Sequence, residues 1–135
     1  MDIAKFNADW LQAWTDKDVD RLCGFYSDAC VYKDPQTAQG LNGQAELRAY
    51  LTGLFGATPP MTYVPDEVWA IPGGFCGRWY CDIGEGGAGG RIRGFDLVIL
   101  EGDRIALNEV YVHTLGGPAA LPSTSARRTT STPPG

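Results

Sequence analysis

The chain has 135 residues, 44% of them apolar, and a formal net charge of -5, which suits one domain with a core large enough to leave room for a small-molecule cavity. Two of its eleven basic residues, Arg127 and Arg128, stand near the C-terminal end, so the remainder is more acidic still. A surface of that sign repels phosphates and excludes nucleic acid as a natural partner, while the absence of a long apolar run near the start points to a cytoplasmic protein without membrane contact.

Residues 3–15 place Ile3, Phe6, Trp10, Ala13 and Trp14 at helical spacing, which predicts an amphipathic first helix with an aromatic face. Asp16 opens a turn, and Asp16 or Asp18 caps a short second helix carrying Val19, Leu22, Cys23, Phe25 and Tyr26. Ala29 to Asp34 reads as a strand closed by Pro35, because the residue before a proline is pushed out of the helical region. Gly40 to Gly43 reads as a loop. A third helix follows in QAELRAYLTGLF, with Leu47, Tyr50, Leu51, Leu54 and Phe55 on one face.

Beyond Pro59-Pro60 the pattern changes to strands, predicted at Met61–Ile71, Gly74–Ile83, Gly90–Leu100 and Arg104–Thr114. Their short connections imply an antiparallel meander. The glycine-rich GEGGAGG lacks a lysine or helix start at phosphate-loop spacing and reads as a flexible hairpin. After Leu115 the text turns to GGPAALPSTSARRTTSTPPG, which predicts a domain over 1–115 and a flexible tail over 116–135. Helices first and antiparallel strands after is an α+β order, with the sheet curling around the helices to leave a cone-shaped pocket.

Four cysteines, Cys23, Cys30, Cys76 and Cys81, form no CxxC pair and read as small buried hydrophobes; with a single histidine, His113, no metal site is expected. Two carboxyls carry more information. Asp34 either caps the turn at Pro35 or faces the pocket, since alternation puts it on the side of Cys30 and Tyr32. Asp96 stands inside Phe95-Asp96-Leu97-Val98-Ile99-Leu100, where it must be hydrogen-bonded, paired with Arg78, Arg91 or Arg93, or protonated. That run is apolar on both faces of its strand, and the helices cover only one. A second copy of the chain is expected on the other, giving a homodimer. In GRWYCDIG, Phe75, Trp79, Cys81 and Ile83 face inward. Tyr26 and Tyr32 read as buried tyrosines whose hydroxyls need a partner, either Trp10 or a ligand.

The order of elements, with the strand-end Tyr32-Lys33-Asp34-Pro35 and a glycine-flanked third helix, resembles the nuclear-transport-factor-2-like superfamily over residues 3–114. The branch it resembles contains the ketosteroid isomerases and SnoaL-like polyketide cyclases. The resemblance implies a conical α+β barrel, three N-terminal helices on a strongly curved, mainly antiparallel sheet around a pocket, and dimers. It implies Asp34 as general base and Asp96, kept neutral, as hydrogen-bond donor to an enolate oxygen. Trp10 occupies the position of the second oxyanion donor, where the isomerases carry a tyrosine. It also turns Ala106, Asn108, Val110 and Val112 toward the cavity, making Asn108 a substrate contact with Tyr26, Tyr32 and Trp79, and leaves Glu109 and His113 near the dimer interface or solvent. The implied activity is proton abstraction next to the carbonyl of a small apolar or polycyclic compound, leading to isomerisation or aldol-type cyclisation without a cofactor. The alternative is a noncatalytic ligand-binding or interaction module on the same scaffold. An epoxide hydrolase reading is weaker, because Tyr80 and Val110 occupy two of the three positions of the Asp-Arg-Asp trio that such relatives use.

Overall fold

Asp2 is extended, and its carboxylate accepts a hydrogen bond from the Lys5 amide, capping α1, Ile3–Asp16. Lys17 ends that helix in the left-handed region at φ 54°. Its ammonium then donates to the carbonyls of Phe55, Thr58 and Pro59 at the C-terminal end of α3, Gly43–Ala57, where the helix dipole favours a cation. One lysine thus ties the two long helices together. Asp18 caps the short α2, Val19–Cys23. Before α3, Glu46 reaches back to accept from the Asn42 amide at 2.8 Å.

The computed structural model describes residues 1–115, so the 116–135 segment read as a tail lies outside the described residues. One six-stranded sheet follows the order β2-β1-β6-β5-β4-β3. Its strands are β1 Tyr26–Lys33, β2 Leu41–Asn42, β3 Met61–Ile71, β4 Gly74–Ile83, β5 Arg91–Glu101 and β6 Arg104–Thr114. The antiparallel meander β3–β6 forms as the sequence predicts. β1 joins β6 in parallel. Curved against α1 and α3, the sheet makes the α+β cone expected from the element order.

Three local readings need correction. Phe25 and Tyr26 are not helical: Phe25 lies in the turn before β1 and its O accepts from Ile105 N, while Tyr26, the first residue of β1, pairs with Ile105. The stretch read as a loop contains β2, whose Leu41 and Asn42 pair with Tyr32 and Val31. In β6, Ile105 faces Leu100 whereas Leu107 faces Ile99, which leaves Ala106 as the extra residue of a bulge. The bulge reverses the alternation. Ile105 is therefore fully buried, and the expectation that Ala106 lines the cavity fails.

The core lies between α1, α2, α3 and the concave face of the sheet, with Trp10, Leu22, Tyr26, Leu47, Leu51 and Phe75 completely buried. Trp10 packs edge-on against Tyr26 and Phe75, at centroid separations of 6.5 and 6.4 Å. All four cysteines are free, and Cys23, Cys30 and Cys81 are buried. Burial pushes the Cys81 thiol up to about 12, so it behaves as a small apolar side chain. Among the described residues no helix is long and apolar enough to cross a membrane.

Candidate active site

Beside the closed core the cone opens into a cavity of about 370 Å³, walled by α1, α3, the end of β1 and strands β3–β6. That volume falls toward the small end of the range for ligand sites, about 300–1,000 Å³. Its surface is mainly apolar. Asp34 and Asp96 both line it, one just after β1 and one on β5, the two strands that flank β6.

Asp34 follows β1 directly, and its two oxygens have separate duties. Oδ1 accepts from the Gln36 amide, the Thr37 amide and the Thr37 hydroxyl, each at 2.9 Å, closing the turn around Pro35 as an Asx turn. Oδ2 accepts from the Tyr32 hydroxyl at 3.0 Å and the Tyr50 hydroxyl at 2.5 Å. Turn cap and cavity-facing carboxylate, alternatives in the sequence, coexist in one side chain. Burial holds the Tyr32 proton, and burial followed by hydrogen bonding to Asp34 holds that of Tyr50, so both phenols remain donors far above the usual tyrosine range. Tyr50 OH also lies 3.4 Å from Gln36 Oε1, a second acceptor to which it can turn.

Asp96 is 3% exposed. None of the three arginines weighed as partners forms a salt bridge with it: Arg78 pairs with Asp66 and Glu67, Arg91 with Asp82, and Arg93 Nη2 lies 3.2 Å from His113 Nδ1. Instead the Trp79 indole N–H donates to Asp96 Oδ1 at 3.2 Å. Burial among apolar groups raises the carboxyl to about 7, with the Trp79 and Asn108 hydrogen bonds pulling the other way. Trp79 can reach because its cross-strand partner is Gly94. A Cβ at Gly94 would stand 2.0 Å from Trp79 Cζ2, so only glycine lets the indole lie flat over the neighbouring strand.

The other residues singled out in the sequence divide into two groups. Tyr32 and Trp79 line the cavity; Trp10, Tyr26 and Asn108 do not. Trp10 is fully buried, and its indole N–H meets no acceptor, because α1 directs the ring into the core between Tyr26 and Phe75 rather than toward the opening. The Tyr26 hydroxyl donates to Asn108 Oδ1 at 2.8 Å, while Asn108 Nδ2 lies 3.4 Å from Leu97 O. Tyr26 and Asn108 thus stand behind Asp96 as its buried support rather than as ligand contacts. Sequence reasoning missed Tyr50, Trp14 and Tyr63 as cavity residues. Trp14 and Tyr50 had been placed on the apolar faces of their helices, and a phenol among Leu47, Leu51 and Leu54 was the signal that α3 brings a hydroxyl to a partner. Among the described residues, no group of three or more His, Cys, Asp and Glu side chains is placed to hold a metal ion.

With fold and cavity described, likeness to known proteins adds the family. The SnoaL-like domain family matches residues 8–108. The chain belongs to that family. No curated protein sequence matches it. Among solved structures, a ketosteroid-isomerase-like fold from Catenulispora acidiphila, in complex with trimethylamine, superposes with a TM-score of 0.70 at 13% identity, covering 82% of this chain and 85% of that one. A protein of the SnoaL-like family from Agrobacterium tumefaciens gives 0.68 at 18% identity, over 82% and 97% of the two chains. SalBIII, an epoxide hydrolase/cyclase-like enzyme of pyran ring formation in salinomycin, gives 0.65 at 17%, over 82% and 89%. At these identities the likeness is one of fold.

Proposed function

We propose that this SnoaL-like chain is a cofactor-independent enzyme that abstracts a proton next to the carbonyl of a small, largely apolar compound, with isomerisation or aldol-type ring closure as the outcome. The observation that carries the reading is the contrast between two carboxyls lining one cavity. Asp34 accepts hydrogen bonds from five donors, whereas Asp96, buried with an indole N–H on Oδ1, has its proton affinity raised to about 7. Groups of one chemical type with environments this different take opposite halves of an acid–base step.

In this reading Asp34 Oδ2 takes the carbon-bound proton while the Tyr50 hydroxyl turns to Gln36 Oε1, 3.4 Å away. Negative charge then develops on the carbonyl oxygen. The Asp96 O–H donates to it, its own position fixed by Trp79, and Asp34 returns the proton at a second carbon or after ring closure. Base catalysis of this kind contributes about 10²–10⁴-fold, and an oxyanion donor a comparable factor. The test is deuterium exchange at the α-carbon of a panel of cyclic ketones, followed by proton NMR. Exchange catalysed by the wild type and lost in Asp34→Asn supports the reading; no exchange with any ketone that binds overturns it.

The saturation of Asp34 by five donors favours one second reading, a noncatalytic binder. It differs in predicting saturable binding with no exchange. On either reading the convex face of the sheet meets a second copy of the chain: Trp69, Phe95 and Tyr111 are 38%, 40% and 60% exposed there. They are interspersed with Arg78, Arg93, Asp66 and Glu109, a mixture of signs that is self-complementary about a two-fold axis.

A further inference from the structure

The cavity wall includes five aromatic rings in an unbroken arc. Tyr50 lies 5.8 Å from Tyr32, Tyr32 6.2 Å from Trp14, Trp14 5.9 Å from Tyr63, and Tyr63 5.0 Å from Trp79, centroid to centroid. One end of the arc is hydrogen-bonded to Asp34 through Tyr32 and Tyr50, the other to Asp96 through Trp79. No Lys, Arg or His lines the cavity among the described residues. We propose that this cavity takes a ligand bearing a tertiary or quaternary ammonium group, seated on the arc between Asp34 and Asp96.

Three features of the site support an alkylated cation. The first is sign: every ionisable carboxyl on the wall is acidic and no basic side chain offsets it, so a positive ligand is attracted and an anionic one repelled. The second is the number of rings: five aromatic side chains line one cavity, and a cation resting against the face of any of them meets the negative side of its quadrupole. Tyr32 and Tyr50 donate their protons toward the same carboxylate oxygen, which pushes electron density back into both rings and strengthens that attraction. The third concerns hydrogen bonding. A primary ammonium has three N–H groups to satisfy, yet Asp34 already receives five donors and Asp96 Oδ1 is occupied by Trp79. A quaternary nitrogen has no N–H and a protonated tertiary one has a single N–H, so alkylation reduces or removes that demand and offers apolar surface to a mainly apolar wall.

This inference takes from the proposed function only that the cavity binds the ligand. It does not depend on proton transfer. The experiment is a pair of titrations of the full chain, followed by tryptophan fluorescence because Trp14 and Trp79 line the cavity, with phenyltrimethylammonium and with tert-butylbenzene. The two probes share a shape and differ in a charged nitrogen for a carbon. The ammonium is expected to bind at least threefold more tightly, because only it gains cation–π contacts with the arc. Tyr63→Leu is expected to reduce that preference by about threefold or more and Tyr63→Phe, which keeps the ring, to preserve it. Equal or tighter binding of tert-butylbenzene, no saturation by the ammonium at millimolar concentration, or an unchanged preference in Tyr63→Leu would each overturn the proposal; if Tyr63→Leu does not fold, the wild-type pair decides. Ketone exchange without ammonium preference sinks this inference and leaves the enzyme reading standing. Ammonium preference without exchange does the reverse.

Discussion

Asp96→Asn is expected to make the protein more stable, by a margin that grows from about pH 4 and is complete above about pH 7. In the folded chain the carboxyl is raised to about 7 by burial, against an unfolded value of about 3.9. Between those values the folded state keeps a proton that the unfolded state has released. Stability therefore falls as pH rises through this window. The favourable contribution is complete below about pH 4 and lost above about pH 7. A difference of roughly three pH units corresponds to about 4 kcal/mol by which ionised Asp96 weakens the fold. Asparagine removes this term: it keeps an oxygen to accept from Trp79 and carries no proton equilibrium. The assay is thermal unfolding of both proteins from pH 4 to pH 9. Their Tm values should coincide near pH 4 and diverge until the variant is higher by on the order of 10 °C above pH 7. The other titrating groups are common to both proteins, so the difference isolates Asp96. Curves that run parallel across the range would refute the reasoning, as would a carboxyl carbon of Asp96 that titrates near pH 4 by NMR. Turnover of the variant should fall by about 10²–10³ even as stability rises, because an amide is a poorer proton donor to an enolate oxygen.

Other outcomes follow from the same geometry. Wild-type turnover should decline as pH rises through about 7, as Asp96 loses the proton it donates; a rate that stays flat from pH 6 to pH 9 would show that neutral Asp96 is not needed. Gly94→Ala should destabilise by about 1–3 kcal/mol in chemical denaturation and lower turnover, because the new methyl displaces the Trp79 ring and its N–H from Asp96. Tyr50→Phe should cost about 1–2 kcal/mol by deleting a donor to a charged acceptor, a loss that a double-mutant cycle with Asp34→Asn should show to be shared. For the convex face, Phe95→Lys should convert a dimer to monomer in size-exclusion chromatography with light scattering, whereas a monomeric wild type would remove the proposal of a second copy.

Most of the fold was legible because its elements announce themselves through period. The change from helical spacing to alternation after Pro59-Pro60 located the strands Met61–Ile71 and Gly74–Ile83, whose observed limits coincide with those read, and Pro72-Gly73 marks the turn between them. The misreadings occur where pairing with a distant strand overrides local spacing. Phe25 and Tyr26 fit a helical face but are claimed by β6, and the bulge at Ala106 depends on the partner strand's register, which local alternation does not encode. The site divides in the same way. Asp34 and Asp96 stood out as carboxyls in unlikely company, a property of their own neighbours in the sequence. Trp79 was read as inward-facing, but its hydrogen bond to Asp96 depends on Gly94 across the ladder, and Tyr50 reaches Asp34 from another helix. Trp10 was the reverse case, right in being buried and wrong in its direction, since helical spacing tells which face is covered and not which neighbours the ring meets.

Charge connects the two proposals made for the cavity. Asp34 accepts five hydrogen bonds and Asp96 is raised to about 7, so the count of negative charges in the site near neutral pH turns on Asp96. Enolate chemistry requires the lower count, because only protonated Asp96 donates; a bound ammonium favours the higher, because it stabilises the carboxylate. The two demands are compatible only if the cation rests nearer Asp34, against Tyr50, Tyr32 and Trp14, while the carbonyl oxygen lies at the Trp79 end beside Asp96. A substrate meeting both would be an amino ketone with the nitrogen and the carbonyl separated along the arc. Proton release on binding distinguishes the placements: calorimetry at pH 7 in buffers of different ionisation enthalpy should show little release if the ammonium sits at the Asp34 end. Release approaching half a proton, about what Asp96 still holds at that pH, would put the cation beside Asp96 and leave the enolate without its donor.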